Sequence, residues 1–389
     1  MTLTLTRWLS ALQPMRLGGL SLLIWLCWMV PALALELKIA LKEGVSQIAV
    51  GSSTSATITN GMGQPVGQLP PLQGYFAKAA SGAVALNQHQ AWQLVVQPSD
   101  NGLVYIGDRW YRGSVRLVRT SQGFAVINQV DLEDYLASVV GKEMYPSWPQ
   151  EALKAQAVAA RSYALFRRQR QQSQLYDLGN TTTYQVYDGI NSETESTRSA
   201  VQATAGQILT YQGKVIEAVF HSASGGHTEN SENVWSAAVP YLRGVPDFDQ
   251  SAPVYQWTLE LTASQMRQRI PGIGNIVAFE PLQTTPTGRI RSLRVRGDAG
   301  SRTLTGAQAR QALGLRSTLF SVQPQLGPLA SQPGGSAAKS SGFKIQGRGY
   351  GHGLGMSQWG AYSLATQGKT YADILRHYYQ GTTVSNLGS

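Results

Sequence analysis

One glutamate, Glu143, stands in a setting that suits proton transfer. It lies in the run from Gly141 to Pro149 (GKEMYPSWP), where a methionine, a tyrosine and a tryptophan surround it. Loss of hydration disfavours the carboxylate anion and raises the pKa, so such a group can donate a proton near neutral pH. An isolated glutamate in a loop is more often simply exposed. The prediction that Glu143 is a general acid therefore rests on the aromatic residues next to it in the sequence.

A lone arginine, Arg161, falls within the alanine-rich run from Ala155 to Ala164. On a helix packed through alanines, a guanidinium is either buried with a carboxylate partner or lines a groove that binds substrate. The sequence leaves both interpretations open.

A polar run from His221 to Asn230 (HSASGGHTEN) follows a predicted strand and contains two histidines. Its five-residue gap between imidazoles does not match the helical zinc motif, and no cysteine completes a tetrahedral site. Ser222 and Ser224 also lack the Gly-x-Ser-x-Gly setting of a hydrolase nucleophile. We interpret the run, with Gly225 and Gly226, as a polar groove wall.

Glycine occupies every second position from Gly347 to Gly355. In an extended chain this leaves one face bare while Arg348, Tyr350 and His352 line the other. The pattern fits neither a dinucleotide-binding fingerprint nor a Walker motif. It predicts a closely packed strand whose polar side chains face a cleft.

The chain has 389 residues, of which 42% are apolar and 14% charged. This composition excludes collagen, coiled coil and general disorder, and provides for a large core. The only cysteine, Cys27, lies in the leader described next. Cysteine nucleophiles and thiolate zinc sites are therefore excluded from the mature chain.

Residues 1–34 have the pattern of a secretory signal peptide. Arg7 and Arg16 precede an apolar run, and Ala32-Leu33-Ala34 forms a small-residue cleavage site. The alternative is an uncleaved anchor, which would be the chain's one membrane attachment. We expect an exported protein, periplasmic or associated with the cell wall. Without Arg7 and Arg16 the net charge falls from +10 to +8, which favours an anionic wall polymer over nucleic acid as partner.

The periodicities predict a mixed, β-rich α+β fold without a βαβ rhythm. Strands and hairpins fill residues 35–130, including the pairing of 115–118 with 124–127. A short helix capped by Asp131 ends at Gly141, and a long helix follows Pro149. The same patterns predict, in chain order, strands at 182–187, 207–211 and 215–221, a helix at 197–204, an irregular β-rich stretch at 254–320, a flexible loop at 324–342, and helices at 357–367 and 371–379.

Four segments, taken in order, resemble the SpoIID/LytB family. They are the run from Glu143 to Pro149, the run from Glu151 to Ala164, Phe220-His221-Ser222 with Ser224-Gly225-Gly226, and the run from Gly349 to Ala361. The family comprises sporulation stage II protein D, a lytic transglycosylase acting on peptidoglycan strands stripped of stem peptides, and the LytB amidase enhancers. By this resemblance Glu143 matches the catalytic glutamate, and Arg161 matches an essential helix arginine.

The resemblance implies one family domain over 35–383, with a long central helix and C-terminal helices forming a substrate cleft. Its expected parts are a β-rich region at 35–130, a catalytic region at 131–250, a divergent insertion at 254–323, a linker at 324–342 and a C-terminal part with the Gly-His-Gly motif at 343–383. Some members bind zinc through histidines and cysteines near the polar run. This sequence keeps His221 and adds His227 but lacks the thiols, so we predict no cofactor and no metal ligands.

The chemistry of one carboxyl group agrees with the resemblance. Hydrolytic glycosidases normally use two carboxylates, whereas a lytic transglycosylase can use one as acid and then as base. Glycan contacts are predicted for eight residues: His221, Ser222, Ser224, Gly225, Gly226, Tyr350, His352 and Gln358. Two alternatives remain: a non-catalytic wall-binding enhancer of a partner amidase, and a histidine-dependent metal hydrolase.

Overall fold

The computed structural model describes residues 35–170, 175–181, 184–326 and 340–387. The predicted leader at 1–34 and the middle of the predicted linker, 327–339, lie outside the described residues. None of the described helices is long and apolar enough to span a membrane.

The N-terminal region consists of strands, as predicted. They are β1 Glu36–Val45, β2 Gln47–Ser52, β3 Ala56–Asn60, β4 Pro65–Leu69, β5 Gly74–Ala80, β6 Ala83–Leu86, β7 His89–Ala91, β8 Gln93–Pro98, β9 Val104–Ile106, β10 Arg109–Tyr111, β11 Ser114–Thr120 and β12 Gly123–Asp131. The predicted hairpin is present, because Val118 pairs with Ala125 and Thr120 with Gly123.

These strands form two sheets that bury alternate apolar side chains between them. Together with β13 (Leu178–Gly179), one sheet has the order β13-β1-β12-β11-β8-β3-β4, and the other has the order β10-β9-β2-β5-β6-β7. Val50 and Val104 of one sheet and Val96 and Leu117 of the other are fully buried. The period-two pattern thus places one face of each sheet in a shared core.

Three helices follow: α1 Leu132–Glu143, α2 Gln150–Arg170 and α3 Glu195–Ala203. The Asp131 side chain caps α1 by accepting from the Glu133 and Asp134 backbone N–H groups. Helix α1 continues two residues beyond Gly141, so Glu143 is its last residue rather than part of the connector. Helix α2 contacts α1, α3 and the C-terminal helices, which explains its many alanines.

The segments after α2 differ in part from the sequence prediction. The described residues 184–187 form no strand, and the predicted strand at 215–221 is broken into two short strands. The remaining elements outside the insertion are β14 Gln207–Tyr211, β15 Lys214–Val215, β16 Phe220–His221, α4 Ser231–Val234, β23 Met356–Ser357, α7 Gln358–Thr366, α8 Tyr371–Tyr378 and β24 Thr383–Asn386. The predicted helices at 197–204, 357–367 and 371–379 are all present within a few residues.

The stretch predicted to be irregular is an ordered α/β module with its own apolar core. Its elements are β17 Gln256–Thr262, α5 Ala263–Arg269, β18 Ile276–Thr284, β19 Ile290–Gly297, β20 Gly300–Thr305, α6 Gly306–Leu313, β21 Phe320–Leu326 and β22 Ser340–Arg348. They form two three-stranded sheets, β17-β22-β21 and β18-β19-β20. Both ends of the predicted linker at 324–342 belong to strands, because β21 and β22 pair there.

Candidate active site

Glu143 is held at the end of α1 by two hydrogen bonds. Its Oε1 accepts from the Val186 backbone N–H at 3.2 Å, and its Oε2 accepts from Gln358 Nε2 at 3.1 Å. Burial raises the pKa of the Glu143 carboxyl, while the two hydrogen bonds oppose part of that rise. The group is thus shifted towards the protonated form, as expected for a general acid.

Glu143 lines a cavity of about 320 Å³. The other lining residues come from five separate stretches of the chain: Tyr163, Arg167, Tyr184, Val186, Glu217, Val219, Phe220, Trp235 and His352. The cavity therefore combines aromatic walls with two carboxylates and one guanidinium, a composition that suits a polar ligand with flat apolar faces, such as a sugar.

Arg167 and Glu217 are cavity residues that the sequence analysis missed. Arg167 Nη1 lies 3.3 Å from Glu217 Oε1, and its guanidinium lies over the rings of Tyr163 and Tyr184, 5.8 and 5.4 Å from their centroids. Burial raises the pKa of Tyr163 to about 12. The helical spacing from Tyr163 to Arg167, i to i+4, was a usable signal for a shared face.

Four aromatic side chains form a cluster beside Glu143, on the α1–α2 connector and α7. Trp148 is central, with ring centroids 4.8 Å from Trp359, 5.0 Å from Tyr362 and 5.5 Å from Tyr145. Tyr145, two residues after Glu143, is 62% exposed. The cluster stabilises the connector that follows the glutamate and leaves one ring open to solvent.

His221 and His352 lie side by side, with ring centroids 5.2 Å apart. His352 Nδ1 accepts from the Leu354 N–H, so Nε2 donates to the Phe220 carbonyl. His221 Nδ1 donates to the Leu354 carbonyl. Burial lowers the pKa of His352 to about 4 and lowers that of His221 as well, so both rings are neutral. His352 lines the cavity, whereas His221 lies behind it.

No group of three metal-ligating side chains exists among the described residues. Both nitrogens of His352 are engaged in hydrogen bonds within the protein. His227 Nδ1 contacts the neighbouring Thr228 carbonyl at 2.6 Å. Of the ring nitrogens of His221 and His352, only His221 Nε2 has no hydrogen-bond partner.

The polar run after His221 faces inward rather than into the cavity. Ser224 Oγ donates to Asp247 at 2.5 Å, and the backbone N–H groups of Gly225 and Gly226 donate to Asp249 at 2.7 and 2.9 Å. Ser224 is fully buried. These three residues, predicted to contact glycan, instead hold two acidic residues in place. Ser222 is half-buried and accepts from the Trp359 N–H through its carbonyl.

The glycine-rich run is not an extended strand beyond Arg348. Gly349, Gly351, Gly353 and Gly355 all have positive φ, between 65° and 122°. A Cβ at Gly353 would lie 2.5 Å from the guanidinium carbon of buried Arg289. The alternating glycines therefore serve backbone conformation and close approach, rather than an open floor. Tyr350 is exposed outside the cavity, whereas Gln358 contacts Glu143 itself.

Arg161 does not line the cavity. Its side chain is 0% exposed, and its Nη2 lies 2.5 Å from Glu133 Oε2. The guanidinium also donates to the carbonyls of Gln207 and Val201. Of the two interpretations left open, the geometry matches the buried ion pair, which ties α2 to α1, α3 and β14.

Comparison with known proteins gives the context of this site. The family model described as Stage II sporulation protein (SpoIID) matches residues 120–211, and one described as a domain of unknown function (DUF8618) matches residues 230–355. The first match spans Glu143 and Arg161, and the second spans the module and the glycine-rich run, with only Asn230 of the polar run.

Relatives match over most of the chain. Stage II sporulation protein D of Bacillus subtilis is 34% identical over 280 residues, covering 67% of this chain and 76% of that protein. An uncharacterized protein of Brachyspira hyodysenteriae is 35% identical, with 75% and 76% covered. The Amidase enhancer of B. subtilis is 32% identical, but only 40% of its length is covered. At this identity and coverage, the chain belongs to the SpoIID/LytB family.

Proposed function

We propose that this chain is an exported lytic transglycosylase that cleaves peptidoglycan glycan strands. Family membership supports a cell-wall-related role. The observation that carries the enzymatic proposal is the half-buried carboxyl of Glu143 in an aromatic cavity, with its pKa raised by loss of hydration. The signal-peptide pattern at the N terminus supports a location outside the cytoplasm. The net positive charge of the chain supports association with an anionic cell wall.

The reaction needs one group that gives a proton and then takes one. Protonated Glu143 donates to the glycosidic oxygen between muramic acid and glucosamine as the bond to the anomeric carbon breaks. The resulting carboxylate accepts the proton of the muramoyl 6-hydroxyl as that oxygen bonds to the anomeric carbon. Glu143 is protonated again at the end, and the product carries a 1,6-anhydromuramoyl end. The reaction consumes no water, and these proton transfers use no cofactor.

The test is mass spectrometry of sacculi and of peptide-stripped glycan strands after incubation with the purified protein. We expect wild type to release anhydro-ended fragments and Glu143→Gln to release about a thousandfold less, because the glutamine cannot exchange a proton. The matched control is Glu260→Gln, at an exposed position on β17. Cleavage retained in Glu143→Gln would overturn the proposal.

A second candidate is a non-catalytic enhancer of a cell-wall amidase. It is supported by the relative named Amidase enhancer. It predicts that purified protein releases no fragments alone but increases peptide release when an amidase is added, and that Glu143→Gln does so equally well.

A further inference from the structure

Positive charge is concentrated in one part of the chain. We call residues 256–348, from β17 to β22, the basic module. It holds twelve of the 32 Lys and Arg residues but only three of the 22 Asp and Glu residues, a balance of +9. The other residues of the chain carry twenty bases and nineteen acids. The charge that suggested an anionic partner therefore belongs to the module and not to the molecule as a whole.

A groove of about 550 Å³ lies on the sheet β17-β22-β21 of this module. Strand register places outward-facing polar residues next to one another: Gln256 opposite Arg348, and Gln346 opposite both Thr258 and Ser321. All five side chains line the groove and are exposed. Amides and hydroxyls of this kind form hydrogen bonds with sugar hydroxyls, and a guanidinium pairs with carboxylates.

The groove and the catalytic cavity are joined by a short stretch of backbone. Arg348 lines the groove and His352 lines the cavity of Glu143. Four residue steps separate them, which is at most about 14 Å of chain. Between them, Tyr350 is 46% exposed. One linear ligand can therefore contact both sites.

Further arginines flank this connection. Arg310 interacts electrostatically with Tyr350 and with His352. The Arg316 carbonyl accepts from the Gly351 N–H at 3.0 Å. Arg316 and Arg348 are exposed, and within the described part of the chain neither forms an ion pair. Both charges are thus available to an anionic ligand.

We propose that the groove of the basic module binds the same glycan strand that Glu143 cleaves, through carboxylates carried on its sugars. The proposal rests on the proposed function for the identity of the strand. Hydrogen-bonding side chains in a row select a sugar polymer, and the unpaired arginines select one with free carboxylates. The module thereby extends the substrate site beyond the cleavage cavity.

The test measures binding of fluorescently labelled glycan strands by anisotropy, with all proteins in the Glu143→Gln background. One strand preparation carries free lactyl carboxylates, and a second has the same backbone with the carboxylates converted to amides. The groove variant is Arg316→Glu with Arg348→Glu. The matched control is Lys78→Glu with Lys214→Glu, which changes the net charge equally at exposed sites outside the module.

We expect the groove variant to bind carboxylate strands about tenfold more weakly than its parent, equivalent to about 1.4 kcal/mol, with the difference shrinking at high salt. Its affinity for amidated strands should match that of its parent, and the control should stay within about twofold for both. If the double variant does not fold, the single variant Arg348→Gln replaces it. We expect Arg348→Gln to bind carboxylate strands about threefold more weakly than its parent.

Three results would overturn the proposal: unchanged binding by the groove variant, equal weakening by groove variant and control, or tighter binding of the parent to phosphatidylglycerol vesicles than to the strands. The readout is separate from catalysis. If Glu143→Gln still shortens the labelled strand, the proposed function fails while the comparison of affinities stands.

Discussion

At the scale of single residues, the site depends on how Glu143 is solvated and held. Burial favours its neutral form, while the hydrogen bonds from Val186 and Gln358 favour the anion. The balance keeps the group able both to donate and to accept a proton. Gln358, predicted to contact sugar, acts on the carboxyl itself and is a positioning residue.

Removal of the Gln358 amide gives a prediction for pH dependence. Gln358→Ala deletes a hydrogen bond that stabilises the carboxylate, so the pKa of Glu143 rises further. Because the protonated acid starts the reaction, the decline of kcat/KM at high pH should move to higher pH, by about one unit. The pH profile of strand cleavage measures this. Gln202→Ala, at an exposed position on α3, is a control, and an unshifted profile would contradict the assignment.

At the scale of elements, the site is assembled where a helix end meets an irregular loop. The last residue of α1 supplies Glu143, the start of α7 supplies Gln358, and the glycine-rich run between β22 and β23 supplies His352. Four glycines of that run have positive φ, a conformation that other residues adopt only at a cost. These glycines therefore determine the backbone path of the loop that forms this wall of the cavity.

Gly353 provides a test of this wall against a matched glycine. Gly353→Ala meets both an unfavourable φ of 81° and the guanidinium of Arg289, whereas Gly368, with φ 83°, has open space around it. Gly368→Ala should cost about 1 kcal/mol of unfolding free energy, and Gly353→Ala about 3 kcal/mol, because only the latter adds a steric clash. Chemical denaturation measures both. Equal losses would show that φ alone matters.

At the scale of the whole molecule, buried histidines link stability to pH. His352 joins the glycine-rich run to β16 through two backbone hydrogen bonds. Its folded pKa of about 4 lies below the ordinary histidine value of 6.5, so the folded state binds fewer protons than the unfolded state between these values. Stability contributed by neutral His352 is thus present above pH 6.5 and is lost as the pH falls towards 4.

This linkage predicts the effect of His352→Gln on acid unfolding. The amide can both donate and accept a hydrogen bond but does not titrate, so the variant should lose about 3 kcal/mol less than wild type between pH 7 and pH 4. Urea unfolding across this range measures the difference. The control is His377→Gln, at an exposed ring. Parallel curves for wild type and His352→Gln would contradict the buried neutral imidazole.

The local pattern of the sequence was sufficient for the strands before Asp131, for the helices α1, α2, α3, α7 and α8, and for selecting Glu143 as the proposed acid. These follow from side-chain period, capping residues and hydration of one carboxyl, which act over a few residues. The pairing of Arg167 with Glu217 and the inward turn of Ser224 were not predictable, because these residues lie 50 and 23 positions from their partners. The regular strands and helices within 254–320 were not predicted either, because the short strands of this stretch bury their apolar faces only against one another.

The alternating glycines indicated an unusual backbone conformation. Their positive φ angles, however, depend on packing against Arg289 and His221, which the sequence does not show. Short-range physics thus determined the elements and the unusual setting of Glu143, while the cavity, its ion pair and the basic groove arise from contacts that exist only in the folded chain.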